Sequence, residues 1–227
     1  MKVKGLTGTI NGIIFDMDGL LVNTERLYYE ANIQAAHEEG IGLPDDAYLQ
    51  LNGASVAQSQ AFFEKYFETT EARDIFIKRT DDLVWQWAEE GRVRLMPGVA
   101  RALDQFKDWG LKMGIASSNY ARVIKHNLAI THTEHYFDFT LSDVDLEGQN
   151  VRPKPNGDIY RLAAEKSGLP DDQLLVFEDS GNGIAAAADA GLRSVMIPCL
   201  KQPTDLDRQR ASLIVGSFND FLDLAEK

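Results

Sequence analysis

Short apolar runs alternate with helical patterns along most of this 227-residue chain. The helical stretches 99–109 and 159–167 stop at Gly110 and Gly168, and glycine commonly ends helices. Strands that alternate with helices favour a right-handed, doubly wound parallel sheet, which is an α/β architecture. The predicted strands are 12–15, 111–116, 137–141, 174–177, 194–197 and 213–215.

The interval 25–94 interrupts this alternation, because its apolar residues follow helical spacing and form no strand-like run. Asn23-Thr24 leads into it and the turn-prone stretch 91–97 leads out, as a hinged lid requires. We therefore predict a core domain formed by 1–24 and 95–227 and a helical cap formed by 25–94. Helical periodicity favours packing within the cap over a base-stacking surface for its aromatic residues Tyr28, Tyr29, Trp85 and Trp87.

Two carboxylates follow the predicted strand 12–15, in the sequence Asp16-Met17-Asp18-Gly19. A lone motif of this kind is more often an ordinary turn than a site. The carboxyl ends of parallel strands, however, are where α/β proteins place their ligands. Gly19 permits a turn that brings both carboxylates towards one point, where they would favour a hard cation such as Mg²⁺.

Three later segments also place polar groups after strands or before helices. Ser117-Ser118-Asn119 offers a hydroxyl and amides that can bind phosphate oxygens where a helix begins. Lys154 adds a positive charge, and Glu178-Asp179 adds oxygen ligands for a metal. If these segments end strands of one sheet, they converge with Asp16 and Asp18 at one edge.

The segments FDMDG, IASSN, KP and FEDS, with the trailing GIAAAADAGL, occur in this order along nearly the whole chain. They resemble the four ordered motifs of the haloacid dehalogenase superfamily of phosphohydrolases. The resemblance implies a Rossmann-like core with a helical cap inserted after the first strand. It also implies an aspartyl-phosphate on Asp16, with Asp18 as general acid and base.

A nucleophilic carboxylate needs positively charged groups beside it, for an electrostatic reason. A carboxylate attacks a phosphate dianion only when their repulsion is removed, which Mg²⁺ and Lys154 can do. Asp18 can protonate the leaving alkoxide and later deprotonate the attacking water. The expected catalytic residues are Asp16, Asp18, Ser117 and Lys154. The expected metal ligands are Asp16, Asp18 through its backbone carbonyl, Glu178 and Asp179. The expected substrate- and phosphate-binding residues are Ser117, Ser118, Asn119, Lys154 and Gly53.

Within the superfamily, the chain resembles the pseudouridine 5′-phosphatase and β-phosphoglucomutase-like group. The mutase branch has Lys, Arg and His at cap positions where this chain has Asn52, Val56 and Tyr28. These differences favour Mg²⁺-dependent hydrolysis of a small phosphate monoester, either a sugar phosphate or a nucleotide-like compound. A mutase-type phosphotransferase is one alternative. A non-catalytic phosphometabolite sensor is another, although a sensor has no need of Asp18.

Composition limits the partners and the location of the protein. The formal net charge of −12 opposes binding to nucleic acids and to anionic membranes. No apolar run is long enough to span a bilayer and the N-terminus has no signal-peptide core, so we expect a cytoplasmic protein. We also expect a monomer that binds a small phosphorylated metabolite. The single cysteine, Cys199, can form no internal disulfide, and the four histidines show no metal-ligand spacing.

Overall fold

A computed structural model describes residues 1–44, 46–51, 56–146 and 150–227 of the chain. Within these residues, six strands form one parallel sheet and two short strands pair separately. In chain order the strands are β1 Lys2–Val3, β2 Gly12–Phe15, β3 Lys112–Ser117, β4 Phe139–Ser142, β5 Leu174–Glu178, β6 Arg193–Met196, β7 Leu213–Ile214 and β8 Ala225–Glu226.

Helices fill the intervals between these strands. Short 3₁₀ helices cover Ala47–Gln50, Glu134–Tyr136 and Asp171–Gln173. In chain order the α-helices are α1 Thr24–Glu38, α2 Val56–Phe63, α3 Thr70–Glu89, α4 Val99–Asp108, α5 Ala121–Ile130, α6 Asp143–Leu146, α7 Asp158–Ser167, α8 Gly181–Asp189, α9 Asp205–Arg210 and α10 Phe218–Leu222.

The sheet has the strand order β4-β3-β2-β5-β6-β7, with every pair parallel. The α/β prediction is confirmed, and the six predicted strands lie within two residues of their observed positions. Strand β4 begins two residues later than predicted, because Phe137 caps the 3₁₀ helix Glu134–Tyr136 and the strand starts only at Phe139. The sequence did not predict the antiparallel pair formed by β1 and β8.

Strand β2 lies in the middle of the sheet and all four of its residues are buried. On one face Phe15 contacts the rings of Phe106 and Phe218, which belong to α4 and α10. On the other face Ile14 belongs to a second apolar cluster, together with Tyr160 of α7. Helices therefore cover both faces, which explains why this strand reads as an uninterrupted apolar run.

A helical cap is inserted after β2, the first strand of the six-stranded sheet. The two connectors to the cap pair with each other through a bridge between Val22 and Leu95. The side chain of Asn23 strengthens this pairing, since its Oδ1 accepts from the Arg94 backbone N–H at 2.8 Å. The domain limits 25–94 stay a prediction. None of the described helices combines the length and apolar character that crossing a membrane requires.

Candidate active site

Asp16 stands at the carboxyl end of β2 and is the first carboxylate of the site. Its backbone N–H continues the sheet pairing by donating to the carbonyl of Phe177 at 3.0 Å. The side chain is buried, and its Oδ1 accepts a hydrogen bond from Lys154 Nζ at 2.7 Å. Sheet geometry and a buried cation therefore fix the position of this carboxylate.

Lys154 links three elements of the core. Besides Asp16, its Nζ donates to Glu178 Oε1 at 2.7 Å and to the carbonyl of Ala116 at 3.0 Å. These contacts use all three protons of the ammonium group. Burial lowers the pKa of Lys154, but attraction to Asp16 and Glu178 outweighs it and leaves the pKa well above its ordinary value. The side chain is therefore a permanent positive charge beside Asp16.

Glu178, at the end of β5, is completely buried and accepts several hydrogen bonds. Its Oε1 accepts from Lys154 and from the hydroxyl of Tyr160 at 2.5 Å. Its Oε2 accepts from Ser180 Oγ at 3.2 Å. A Cβ added at Gly183 would lie 1.8 Å from this carboxyl group, so only glycine fits there. Glu178 is thus bound on both oxygens by the protein itself.

Asp179 differs from Glu178 because its Oδ2 is buried without a hydrogen-bond partner in the described part of the chain. Gly19 lies against it with φ of +78°, and a Cβ added there would come within 2.5 Å of this oxygen. The turn after Asp18 therefore needs glycine for its backbone angle and for this close approach. The unpaired carboxylate oxygen is therefore a candidate ligand for a cation.

Asp16, Glu178 and Asp179 each place one carboxylate oxygen within 4.8 Å of the others. Burial raises the pKa of Asp16 well above its usual range against the attraction of Lys154, and Glu178 raises it further. Burial also raises the pKa of Asp179 well above its usual range. Three buried carboxylates face one lysine, so a hard divalent cation with oxygen ligands would balance the charge. These residues fit Mg²⁺.

Asp18 is half-buried, and its carboxylate does not belong to the cluster formed by Asp16, Glu178 and Asp179. Its Oδ1 accepts from Thr24 Oγ1 at 2.6 Å, while its Oδ2 accepts from Asn119 Nδ2 at 3.3 Å and from Ser117 Oγ at 3.4 Å. Burial raises the pKa of Asp18, and these hydrogen bonds oppose the rise. A carboxyl group with a raised pKa beside a nucleophile suits proton transfer.

The segment 117–119 begins with the last residue of β3 and leads towards the start of α5. Ser117 Oγ accepts from the Asn119 backbone N–H at 3.1 Å, which closes a tight turn. The hydroxyl of Ser118 donates to Asp143 Oδ2 at 2.7 Å, which ties this turn to α6. Ser117 and Asn119 line the same cavity as Asp16 and Asp18.

That cavity has a volume of about 300 Å³ and lies between the core and the cap. From the core it receives the acid, lysine and serine side chains described above. From the cap it receives Tyr28, Tyr48 and Trp85. Tyr28 and Trp85 thus line the cavity, whereas Trp87 is buried, as expected for packing within the cap.

Several residues that hold the site carry no signal in the sequence. Thr24 and Tyr160 orient Asp18 and Glu178. Asp143 positions Ser118. Tyr160 reads as an ordinary apolar position of a helix, and only the packing of α7 against the sheet brings its hydroxyl to Glu178. Gly53 and Asn52 lie outside the described residues, and the side chain of Val56 does too, so their predicted roles stay predictions.

Known proteins match this chain over the region that holds the four motifs. A family model described as haloacid dehalogenase-like hydrolase matches residues 13–197. The chain is 30% identical over 192 residues to a phosphorylated carbohydrates phosphatase of Thermotoga maritima, covering 82% of this chain and 84% of the relative. It is 29% identical over 216 residues to a Drosophila melanogaster protein named "Probable pseudouridine-5'-phosphatase", covering 92% of this chain and 90% of the relative.

The structure is also similar to a crystal structure of β-phosphoglucomutase from Clostridium difficile. The TM-score is 0.70 at 24% sequence identity, and the match covers 93% of this chain and 92% of that one. At this identity the likeness shows a shared fold. The resemblance inferred from the four motifs is confirmed. The chain belongs to the haloacid dehalogenase-like hydrolase family, in a part of it that includes named phosphatases.

Proposed function

We propose that this protein hydrolyses a small phosphate monoester, a sugar phosphate or a nucleotide-like compound, through an aspartyl-phosphate on Asp16 in a Mg²⁺-dependent reaction. One observation carries the proposal. The buried Asp16–Lys154 pair opens into the same cavity as Asp179, whose Oδ2 has no partner among the described residues. A nucleophile, a fixed cation and a free metal ligand thus meet in one place.

In the first step, Asp16 attacks phosphorus and the bond to the ester oxygen breaks. Lys154 offsets the repulsion between the carboxylate and the incoming phosphate, since its Nζ is only 2.7 Å from Asp16 Oδ1. Asp18, which lines the cavity and has a raised pKa, gives its proton to the leaving alkoxide. The product alcohol can then leave while the phosphoryl group stays on Asp16.

In the second step, Asp18 takes a proton from water, the water oxygen attacks phosphorus, and the bond to Asp16 breaks. Thr24, Ser117 and Asn119 hold the Asp18 carboxylate for both transfers. The backbone amides after β3 would bind the phosphoryl oxygens near the start of α5. Inorganic phosphate is the second product.

The metal would be held by Asp16, Asp179 and the backbone carbonyl of Asp18. When bound, Mg²⁺ supplies positive charge next to the phosphoryl oxygens. Glu178 would contact it through water, because both of its oxygens already accept hydrogen bonds from Lys154, Tyr160 and Ser180. We assign Glu178 the role of positioning Lys154.

Hydrolysis is favoured over the mutase alternative by the charges that line the cap side of the cavity. A mutase must bind a second phosphate there, and cationic groups serve that purpose best. Of the described cavity residues outside the core motifs, Arg122 is cationic, and the acids Glu25 and Asp81 line the cavity with it. This balance of charge disfavours a bisphosphate.

Replacement of the nucleophile tests the proposal. We expect Asp16→Asn to release no phosphate from p-nitrophenyl phosphate or sugar phosphates, with circular dichroism and Tm showing a folded protein. The matched control is Asp171→Asn, an exposed acid outside the cavity, which should keep full activity. Wild-type enzyme treated with a chelator should lose activity and regain it with Mg²⁺. Full turnover by folded Asp16→Asn would overturn the covalent mechanism.

A further inference from the structure

A cap helix and a core helix meet beside the catalytic cavity. Helix α3 of the cap carries Asp81, Trp85 and Glu89 at intervals of four residues, so these side chains lie on one side of the helix. Helix α5 of the core carries Arg122 and His126 at the same interval. Acidic and aromatic groups of the cap therefore stand opposite basic groups of the core.

His126 is at the centre of this contact. The centroid of its ring lies 4.4 Å from that of Trp85, with the ring planes inclined at 45°. Trp85 in turn lines the cavity that holds Asp16. One side chain of the core therefore packs against an aromatic side chain of the cap that forms part of the cavity wall.

The Nε2 atom of His126 is buried and has no hydrogen-bond partner among the described residues. It lies 3.6 Å from Glu89 Oε1, which is beyond hydrogen-bond distance but within reach of an ion pair once the ring is protonated. An unpaired buried nitrogen is costly, and a proton on Nε2 would make it a donor to the Glu89 carboxylate. The geometry therefore suits the charged ring better than the neutral one.

A second pair along these helices involves a cation that keeps its charge. Asp81 and Arg122 both line the cavity. Burial raises the pKa of Asp81, while a hydrogen bond from Tyr28 and attraction to Arg122 oppose the rise. A guanidinium stays protonated in proteins, so Arg122 attracts the cap at every pH at which Asp81 is ionised. His126 adds an attraction that depends on its own proton.

The charged groups around His126 come from several elements. Glu89 of α3 lies at ion-pair distance, and Arg122 and Lys125 are the other basic residues of α5 itself. Helix α5 also packs against β4, which holds no titratable residue, and against the 3₁₀ helix Glu134–Tyr136. All three residues of that short helix are titratable, but the acid at ion-pair distance from His126 in the described part of the chain is Glu89.

We propose that His126 is a positioning residue for the catalytic cavity and that its proton holds the cap more firmly against the core. This inference rests on the proposed phosphatase function and names a way in which the same site is regulated. The protonated ring is attracted both to the Glu89 carboxylate and to the indole of Trp85. Since a proton stabilises the arrangement that binds it best, contact between α3 and α5 is favoured as pH falls through the range in which histidine changes charge.

This contact acts on substrate binding more than on the chemical step. With α3 against α5, Trp85 stays at the cavity wall, where it can pack on the leaving group and exclude water. When the contact loosens, the wall retreats and the ester binds less tightly. The contacts of His126 are with Trp85 and Glu89 rather than with the catalytic carboxylates, so KM should change with little change in kcat.

The first test measures KM for p-nitrophenyl phosphate, by phosphate release, at pH 5.5 and at pH 8.5. His126→Gln cannot be charged, so at pH 5.5 its KM should be about 2- to 5-fold above that of the wild type, the effect of a solvent-accessible ion pair. At pH 8.5, where histidine is neutral, the two KM values should agree within about twofold. An equal KM ratio at the two pH values, or no rise in KM at pH 5.5, would overturn the inference.

A charge-keeping variant separates charge from shape. His126→Arg places a planar cation against the indole at every pH. At pH 8.5 its KM should be about 2- to 5-fold below that of the wild type, and at pH 5.5 the two should agree within about twofold. A KM above that of the wild type at pH 8.5 would show that the charge of this residue does not hold the cap, and would overturn the inference.

Glu89 gives a variant that cannot disturb the core, because its side chain is 72% exposed. Glu89→Gln removes the acid, and in that background the KM ratio between His126→Gln and its parent at pH 5.5 should shrink. The matched controls are Glu90→Gln, the exposed neighbour of Glu89, and His135→Gln, an exposed histidine of the 3₁₀ helix. Both should keep KM within about twofold of the wild type at both pH values. An unchanged ratio in Glu89→Gln would show that the proton acts without this partner, and would refute the ion pair.

Tryptophan fluorescence reports the contact without turnover. A protonated imidazole quenches an indole that it touches, so the emission of the wild type should fall between pH 8.5 and pH 5.5. His126→Gln and Trp85→Phe should each lose most of that fall, and Trp109→Phe, whose indole lies near Phe106 in the core, should keep it. The same fall in His126→Gln as in the wild type would show that the two rings do not meet in solution, and would refute the role assigned to His126.

Failure of this inference can be told apart from failure of the proposed function. A protein that releases phosphate but shows the same pH dependence of KM with and without His126 is a phosphatase whose cap is not held in this way. A protein that releases no phosphate from any ester refutes the proposed function, and the fluorescence measurement still decides whether His126 and Trp85 form a proton-dependent contact.

Discussion

The two sides of the cavity are built differently. On the core side, Lys154 Nζ donates to the carboxylates of Asp16 and Glu178, each at 2.7 Å. On the cap side, the cavity is lined by the aromatic rings of Tyr28, Tyr48 and Trp85 and by the acids Glu25 and Asp81. The core side is a network of ion pairs that needs no substrate to form, whereas the cap side offers aromatic rings and two carboxylates to whatever occupies the cavity.

This difference separates chemistry from selectivity. Preorganised charges lower the barrier for any phosphate ester, because they act on the phosphoryl group that all esters share. In the proposed reaction the cap side contacts the leaving group, which differs from one ester to the next. Changes in the core should therefore affect all esters alike, and changes in the cap should affect them selectively.

The largest effect that would sharpen this comparison is expected from Asp18→Asn. Loss of the general acid and base should lower kcat about 10²- to 10⁴-fold for esters with poor leaving groups. The fold should be kept, because an amide can still hydrogen-bond to Thr24. Steady-state kinetics on sugar phosphates and on phenyl phosphate measure the loss in kcat. A loss confined to one ester would show that Asp18 acts on the leaving group, which contradicts the assignment of the core residues to chemistry common to all esters.

The next effect concerns the glycine under Glu178. Gly183→Ala forces a Cβ to 1.8 Å from the buried carboxyl group, so it must displace Glu178 or the start of α8. We expect a loss of about 3 kcal/mol in the free energy of unfolding, the upper end for overpacking, and reduced turnover of every ester. Urea unfolding measures the loss. The control is Gly42→Ala, where an added Cβ meets nothing within 4 Å; equal stability of the two variants would contradict this packing.

Metal binding is the third test of the core side. Mg²⁺ at about 100 times its Kd should stabilise the wild type by about 2.7 kcal/mol through mass action. Asp179→Asn should abolish most of that gain, because it removes the carboxylate with the unpaired oxygen. Differential scanning calorimetry with and without Mg²⁺ measures both proteins. An unchanged Mg²⁺-induced shift in Asp179→Asn would remove Asp179 from the metal site.

The smallest effect is expected from Tyr160→Phe. This variant removes the hydroxyl that donates to Glu178 but leaves Lys154 in place. The free energy of unfolding should fall by about 2 kcal/mol, as for other hydrogen bonds to charged groups, with turnover within about threefold of wild type on all esters. Tyr66→Phe, at an exposed position of the cap, is the control and should change neither. A loss of turnover larger than the loss of stability would make Tyr160 part of the chemistry.

The sequence predicted the core side far better than the cap side. Asp16 directly follows β2, and Ser117 and Glu178 are the last residues of β3 and β5, so the parallel sheet alone brings them to one edge. Trp85 and Trp87 lie two residues apart on α3, and nothing local marks Trp85 as the one that lines the cavity. Their role depends on how α1 and α3 pack, which helical periodicity does not specify.

The central claim is that Asp16 carries the phosphoryl group, and direct trapping tests it. Asp18→Asn mixed with Mg²⁺ and p-nitrophenyl phosphate, whose leaving group needs no acid, should form the intermediate and hydrolyse it slowly. Acid quenching within the first turnover, followed by peptide mass spectrometry, should then find one phosphoryl group on Asp16. Release of p-nitrophenol and phosphate in equal amounts from the first turnover, with Asp16 never modified, would contradict the account.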